Sequence, residues 1–256
     1  MKDDPWQSLR ACTPARIGLG QTGTSLPTNE VLQLGLAHAQ ARDAVHCPTD
    51  FTSLSTALVA AGFRTLKVSS QAEDRRTYLL RPDKGRLLSD ASQRMLEKEV
   101  PAPRLVVVIA DGLSSSAIHD NALPVLQALR EQYDTGWSQT PIVLAEQARV
   151  ALGDCIGEAL SATFCVMLIG ERPGLSVADS LGAYITWQPR KGRMDSERNC
   201  ISNIHAKGLS AIDAAQKIAW LLQEAARIQQ TGVHLKDLSD AGLLQTPAGD
   251  ECDYFG

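Results

Sequence analysis

The chain has 256 residues, 44% hydrophobic and 21% charged, enough for one large or two modest domains with a real core. A formal charge of −4 and an aromatic content of 5% exclude a general basic field for nucleic acid and a base-stacking surface. No window approaches the ~18 consecutive apolar residues of a membrane helix. The stretch Met1 to Trp6 lacks an apolar signal core, so a cytoplasmic protein is expected. The six cysteines, Cys12, Cys47, Cys155, Cys165, Cys200 and Cys252, form no C-x-x-C pair and no zinc spacing, and read as free thiols.

Residues 1 to 15 read as irregular chain or a frayed helix. Gly18, Gly20 and Gly23 then spell G-x-G-x-x-G, but Pro14 stands where the preceding strand belongs and Leu26-Pro27-Thr28 delays the helix. Without strand, helix and a following acid these glycines read as a turn or a polar-ligand loop, not a nicotinamide site. A helix is predicted from Thr28 to His46, with Pro27 at its first turn and Glu30 near its start. A second is predicted from Phe51 to Ala61, ending at Gly62, and a short strand at Thr65–Val68. Arg81, Lys84 and Arg86 share a loop with Asp83; that loop could hold a partner's carboxylates or a phosphate, or simply be a solvated charged loop. A helix over 89–99 leads to Pro101 and Pro103, the expected boundary of an N-terminal helix-rich region spanning 1–103.

Leu105–Ala110 is an unbroken apolar run and reads as a buried strand. Asp111 follows it, either as a carboxylate at a strand's C-terminal end or as an acceptor for turn amides. A serine-capped helix is expected next, with a break or kink at Pro124 before it resumes to Tyr133. Strands are predicted at Pro141–Ala145, Phe164–Ile169 and Ala183–Trp187, with a short helix ending near Ala162 between the first two. The last strong helix begins at the Ser210/Asp213 capping pair and ends at Gly232; residues 237–256 read as a loosely held tail.

Strands alternating with helices predict an α/β fold: a mostly parallel, Rossmann-like sheet flanked by helices, over 104–236. Its C-terminal rim gathers Asp111, Val150 and Glu171, and Cys200 is expected back at the same rim. The stretch from Phe164 to His205 is therefore the expected functional surface, with Glu171 and Cys200 at its centre. A Cys200/His205 hydrolase finds no oxyanion-hole motif beside it. Asn203-x-His205-x-x-Gly208 comes close to the D-x-H-x-x-G by which some cobalamin proteins place a histidine below cobalt. Asn replaces the Asp that would orient the ring, so His205 reads as structural. With one carboxylate and no converging acid–base pair, the rim reads as half of a binding site, not a complete catalytic one.

Five runs carry a resemblance: YLLRPDKGRLL (78–88), VVVIADGLSSSAI (106–118), RVALGDCIGE (149–158), LIGERPGL (168–175) and CISNIH (200–205). In this order they resemble the light (small) subunit of adenosylcobalamin-dependent ethanolamine ammonia-lyase. The resemblance implies an enzyme that converts ethanolamine to acetaldehyde and ammonia by a radical mechanism started at the cobalt–carbon bond. It implies a large catalytic subunit as partner, with adenosylcobalamin held between the subunits and kept base-on, so that His205 does not bind cobalt. The family's cobalamin contacts fall on Val150, Glu171 and Cys200, with no catalytic and no metal-ligating residue in this chain. Many members begin with an amphipathic segment thought to direct packing into a bacterial microcompartment; this chain reads as starting after it. The alternative is a stand-alone α/β enzyme or binding protein using Cys200 and Glu171.

Overall fold

The computed structural model describes residues 6–13, 15–99, 102–134 and 136–239. One six-stranded sheet organises them, in the order β1-β3-β2-β4-β5-β6: β1 (Arg64–Ser69), β2 (Leu105–Ala110), β3 (Pro141–Glu146), β4 (Phe164–Gly170), β5 (Leu181–Trp187) and β6 (Asn199–Ile204). The first four in space are parallel; β5 runs antiparallel to β4, and β6 antiparallel to β5. The helices are α1 (Gln7–Ala11), α2 (Thr28–His46), α3 (Phe51–Ala60), α4 (Arg75–Leu80), α5 (Asp90–Leu96), α6 (Ser115–Gln132), α7 (Leu152–Ala159) and α8 (Ala211–Ile228). The sheet is thus mostly parallel and flanked by helices, as the alternation predicts.

The apolar runs are unbroken because the central strands are buried on both faces; every residue of β2 and of β4 is buried. On one face Leu105, Val107, Ile109, Val166 and Leu168 pack with α3, α6 and α8. On the other, Val106, Val108, Ala110, Cys165 and Met167 pack with Leu96 of α5 and Leu152 and Ile156 of α7. The sides alternate for a reason. β1→β2 and β3→β4 cross the sheet in one direction and β2→β3 in the other, so a single hand of crossover puts α5 and α7 on one face and α6 on the opposite one. β1 and the buried face of α3 join this same core.

Several local expectations differ from what forms. Pro124 does not break α6, which runs continuously from Ser115 to Gln132. The lost backbone donor is outweighed by the buried face Ala117, Ile118, Ala122, Val125, Leu126 and Leu129. The last helix stops at Gln229, in the left-handed conformation (φ 55°), rather than at Gly232. Gly232 serves a close approach instead: a Cβ there would sit 2.0 Å from the Ser196 carbonyl oxygen. The three glycines at 18, 20 and 23 all have positive φ and lie in a turn region with no strand before it, which fits a loop rather than a dinucleotide fingerprint. Pro14, Cys252 and the tail from residue 240 lie outside the described residues; Ser239 accepts from Lys217 of α8 at 3.0 Å.

Adjacent strands whose connections leave to opposite faces, here β3 and β2, create the crevice where open α/β sheets place ligands. In this molecule the protein itself engages the acid there, beside a small cavity of about 130 Å³ lined by Asp111, Arg75 and Gln147. The Asp111 carboxylate accepts from the main-chain N–H groups of Gln147 and Ala148, both at 2.9 Å, and lies 3.7 Å from Arg75 Nη1. Arg75 is itself tied to the Val45 and Gly112 carbonyls. Burial pushes the Asp111 pKa up to about 6, against the pull of those two N–H donors and of Arg75. Asp111 therefore bonds backbone amides, chiefly those of the β3 loop, with the Gly112 amide of its own turn adding to them. Asp111→Asn turns one acceptor oxygen into a donor facing an N–H. It should lower the free energy of unfolding by about 1–3 kcal/mol, read from urea denaturation.

Candidate functional site

The second face of the sheet is covered by α5 and α7 only as far as β4. Beyond it, among the described residues, the β5–β6 hairpin carries no α-helix on that side, whereas α8 packs on its reverse. β6 shows the consequence: Ile201 and Ile204 point into the core, while Cys200 and Ser202 are exposed on the open side. Tyr184 pairs with Cys200 across the two strands and is half-buried.

Glu171 follows β4 directly. Its side chain folds back over Gly182, where a Cβ would come within 3.0 Å of Oε1 and 3.2 Å of Cγ. Oε2 accepts from the Ser180 hydroxyl and from the Asn203 backbone N–H at 3.3 Å. Asn203 sits in a β-bulge: between the pairs Ala183↔Ile201 and Leu181↔Ile204 the edge strand carries one extra residue, and Asn203 takes φ 64°. Glu171 thus pins the bulge with one oxygen. Among the described residues Oε1 has no hydrogen-bond donor.

Val150 is half-buried in the loop after β3, packed against the second core. With Tyr184 it lines an open cavity of about 380 Å³, whose other walls come from the Arg86 turn and the 193–198 loop. The structure therefore brings Val150, Glu171, Tyr184 and Cys200 to one face. Two placements differ from the sequence reading. Cys200 is not at the rim but opposite the middle of β5, because the bulge and Ile204 carry the strand beyond it. Asp111 does not join the group; it is buried at the crevice.

The electrostatics favour binding over nucleophilic chemistry. Local desolvation pushes the Cys200 thiol up; the Tyr184 hydroxyl, which hydrogen-bonds it, pulls the other way, and the Glu171 charge raises it further. A protonated thiol is a poor nucleophile. The Tyr184 phenol is likewise shifted upward by desolvation and by Cys200. His205 is engaged elsewhere: Nδ1 accepts from the Lys207 N–H at 3.3 Å, so Nε2 carries the proton and donates to Asn203 Oδ1 at 2.8 Å. Neither ring nitrogen is left for Cys200 or for a metal. The imidazole has the structural role expected of it.

Sequence reasoning missed the support under this face. Arg198 of the 193–198 loop reaches Asp154 in α7, with Nη1 at 2.5 and 2.6 Å from the two carboxylate oxygens, and donates to the Arg193 carbonyl at 2.8 Å. The two side chains are only 2% and 3% exposed. Burial works against the Arg198 charge, but Asp154 outweighs it and raises the guanidinium pKa. No local signal marks a pair separated by 44 positions.

The family model described as "Ethanolamine ammonia-lyase light chain (EutC)" matches residues 3–236. The chain belongs to the ethanolamine ammonia-lyase light-chain family. Relatives named ethanolamine ammonia-lyase small subunit include those of Pseudomonas fluorescens strain SBW25, 49% identical over 98% of this chain and 92% of the relative, and strain Pf-5, 51% identical over 99% and 93%. That of Pseudomonas aeruginosa strain UCBPP-PA14 is 50% identical over 96% of this chain and 92% of the relative. As a light chain of this lyase family, it places its open face and the 193–198 loop on the same side of the sheet.

Arg198→Met leaves Asp154 charged and buried, and should cost about 3–5 kcal/mol in unfolding free energy. The double variant Asp154→Leu with Arg198→Met should recover part of that loss, and a double-mutant cycle by denaturant unfolding measures the coupling.

Proposed function

We propose that this chain is the small subunit of an ethanolamine ammonia-lyase and forms one wall of an adenosylcobalamin site shared with a large catalytic subunit. The single observation that carries the reading is the uncovered β5–β6 face, with Val150, Glu171 and Cys200 on it. When bound, the cofactor supplies the radical that abstracts hydrogen from ethanolamine, in a reaction yielding acetaldehyde and ammonia; that chemistry lies on the large subunit.

The residues present suit such a ligand. A corrinoid offers a broad apolar ring edged with amide side chains. Val150 and the ring of Tyr184 give it an apolar rest. The unpartnered Oε1 of Glu171 can accept from amide N–H groups, and Ser202 adds an exposed hydroxyl. Cys200 contributes a soft van der Waals contact and no bond-making step, in keeping with its raised pKa. The cavity of about 380 Å³ is near the lower end of small-ligand sites and open on one side, which suits a surface that covers only part of a larger molecule. His205 keeps both nitrogens occupied, so it offers cobalt no ligand. The stand-alone reading lacks an activated nucleophile and a converging acid–base pair.

Among the described residues no helix is long and apolar enough to cross a membrane. We place the assembled enzyme in the cytoplasm or in a bacterial microcompartment.

The purified chain alone should not deaminate ethanolamine; co-purified with its large subunit it should do so only with adenosylcobalamin added. Glu171→Ala should weaken cobalamin retention about tenfold, the scale of one lost charge-assisted hydrogen bond, with little change in the KM for ethanolamine. Gly182→Ala should act the same way, since its methyl group displaces Glu171 while the backbone there tolerates alanine. Turnover by the isolated chain would end the proposal, as would unchanged cobalamin binding in both variants.

A further inference from the structure

The run YLLRPDKGRLL carries more than the charges on its turn. Outside, Arg81 and Asp83 pair with each other at 3.0 and 2.7 Å in solvent. Inside, the run meets the loop after β3, residues 147–151, which carries Val150. Gln147, Ala148 and Arg149 have every main-chain group paired. Asp111 accepts from the N–H groups of Gln147 and Ala148, both at 2.9 Å. The Ser70 hydroxyl donates to the Gln147 carbonyl at 2.7 Å, and the Tyr78 hydroxyl to the Ala148 carbonyl at 3.1 Å. The Gly85 carbonyl accepts from the Arg149 N–H at 2.8 Å, and the Arg149 carbonyl from the Leu152 N–H at 2.9 Å. Two of these partners, Tyr78 and Gly85, come from the one run. The loop needs such holding, because Gln147 sits at φ 52°, in the left-handed region that a glutamine adopts only where its surroundings impose it.

Tyr78 is the buried member of this brace, with no exposed surface. The guanidinium groups of Arg75 and Arg149 lie over its ring, 4.8 and 4.3 Å from the centroid, and Arg149 Nη2 donates to the Tyr78 carbonyl at 3.2 Å. Burial pushes the phenol pKa up to about 12, against the pull of Arg149 and Arg75, so the hydroxyl stays a donor at neutral pH. Packing alone would be served by a phenylalanine; the hydroxyl serves the loop. Gly85 closes the contact. A Cβ there would come within 2.9 Å of Arg149 Cγ, 3.1 Å of Tyr78 Cδ2 and 3.2 Å of the Gln147 carbonyl oxygen.

We propose that Tyr78 is a positioning residue for the shared cofactor: its hydroxyl, backed by the Gly85 turn, fixes the Ala148 peptide and through it the place of Val150 on the open face. The role rests on the corrinoid reading above and deepens it, since Tyr78 lies behind the face and touches no ligand. Without the hydroxyl the Ala148 carbonyl is left buried and without its donor. The peptide then turns to find another, the strained Gln147 relaxes with it, and Val150 moves.

Tyr78→Phe removes one oxygen and keeps the ring. In the two-subunit complex it should raise the KM for adenosylcobalamin about fivefold, the scale of one net hydrogen bond, rather than lower kcat at saturating cofactor. Cyanocobalamin binding, followed by absorbance, should weaken by the same factor. In a Val150→Ala background the substitution should cost less than about twofold, because the group it positions is gone. In a Glu171→Ala background it should cost the full factor, because that carboxylate hangs from β4 and not from this loop. Gly85→Ala presses on the loop from the other side, should act in the same direction, and gives the reading if Tyr78→Phe does not fold. A Tyr78→Phe complex that unfolds in less urea yet binds cyanocobalamin as the unaltered complex does would make Tyr78 a core residue and overturn the role. So would an undiminished loss in the Val150→Ala background. An unaltered complex that binds no cyanocobalamin would remove the corrinoid reading itself, and the positioning role with it.

Discussion

A strand joined to the next by a helical crossover brings its own cover; a strand joined by a hairpin does not. That constraint decides where this molecule is open. The connections among β1, β2, β3 and β4 deliver α5, α6 and α7, so both faces of β2, β3 and β4 are sealed. β5 and β6 follow by antiparallel returns, and α8, coming after them, lies on the face that already holds α3 and α6. One half of one face is left without a helix. Val150, Glu171, Tyr184 and Cys200 gather there, on the part of the face that no helix among the described residues covers.

The same logic explains why the usual ligand crevice is silent. Asp111 stands where a ligand-binding carboxylate would be read from sequence. Its two oxygens are used by the N–H groups of Gln147 and Ala148, and Arg75 stands 3.7 Å away as its charge partner. Those bonds fix the start of the loop that carries Arg149 and Val150. The loop is held from its far end as well, because α7 begins just after it and Asp154 in the first turn grips Arg198. A buried acid and a buried ion pair thus act on the geometry of the open face without lying on it. Their desolvation cost makes them weak contributors to net stability, and position is what they supply.

Legibility in the sequence followed burial. The three central strands, β2, β3 and β4, are runs of buried apolar residues, and their positions, with those of the mixed strands β1 and β5, could be read to within a residue or two. β6 escaped as a strand because three of its residues, Cys200, Ser202 and Asn203, face away from the core and the bulge interrupts its alternation. α4 is six residues long with only Tyr78 buried, too short to show a period, and was absorbed into the charged stretch after it. Within the site, Glu171 and Val150 lie next to strand ends and were reachable by a positional rule. Cys200 was placed at the rim because an extra residue in an edge strand leaves no mark in composition. Gly182 under Glu171, and Arg198 under the cavity wall, matter through contacts between distant segments, which a single sequence does not display.

The division of labour implied by this face has a physical basis. A surface that holds a large, mostly neutral ring must be flat, stiff and chemically inert toward it. A β-hairpin backed by α8 supplies the flatness, and Glu171 bonded to Ser180 and to the bulge supplies the stiffness. Inertness comes from the protonation states: the Cys200 thiol and the Tyr184 phenol are both shifted upward, so neither is a nucleophile near neutral pH. The groups that would make an acid–base engine are each committed elsewhere, Asp111 to backbone amides, Asp154 to Arg198 and His205 to Asn203 and Lys207. What remains without a donor on this face, among the described residues, is one carboxylate oxygen on Glu171. A lone acceptor on an inert face can orient a molecule through its donors but cannot break its bonds.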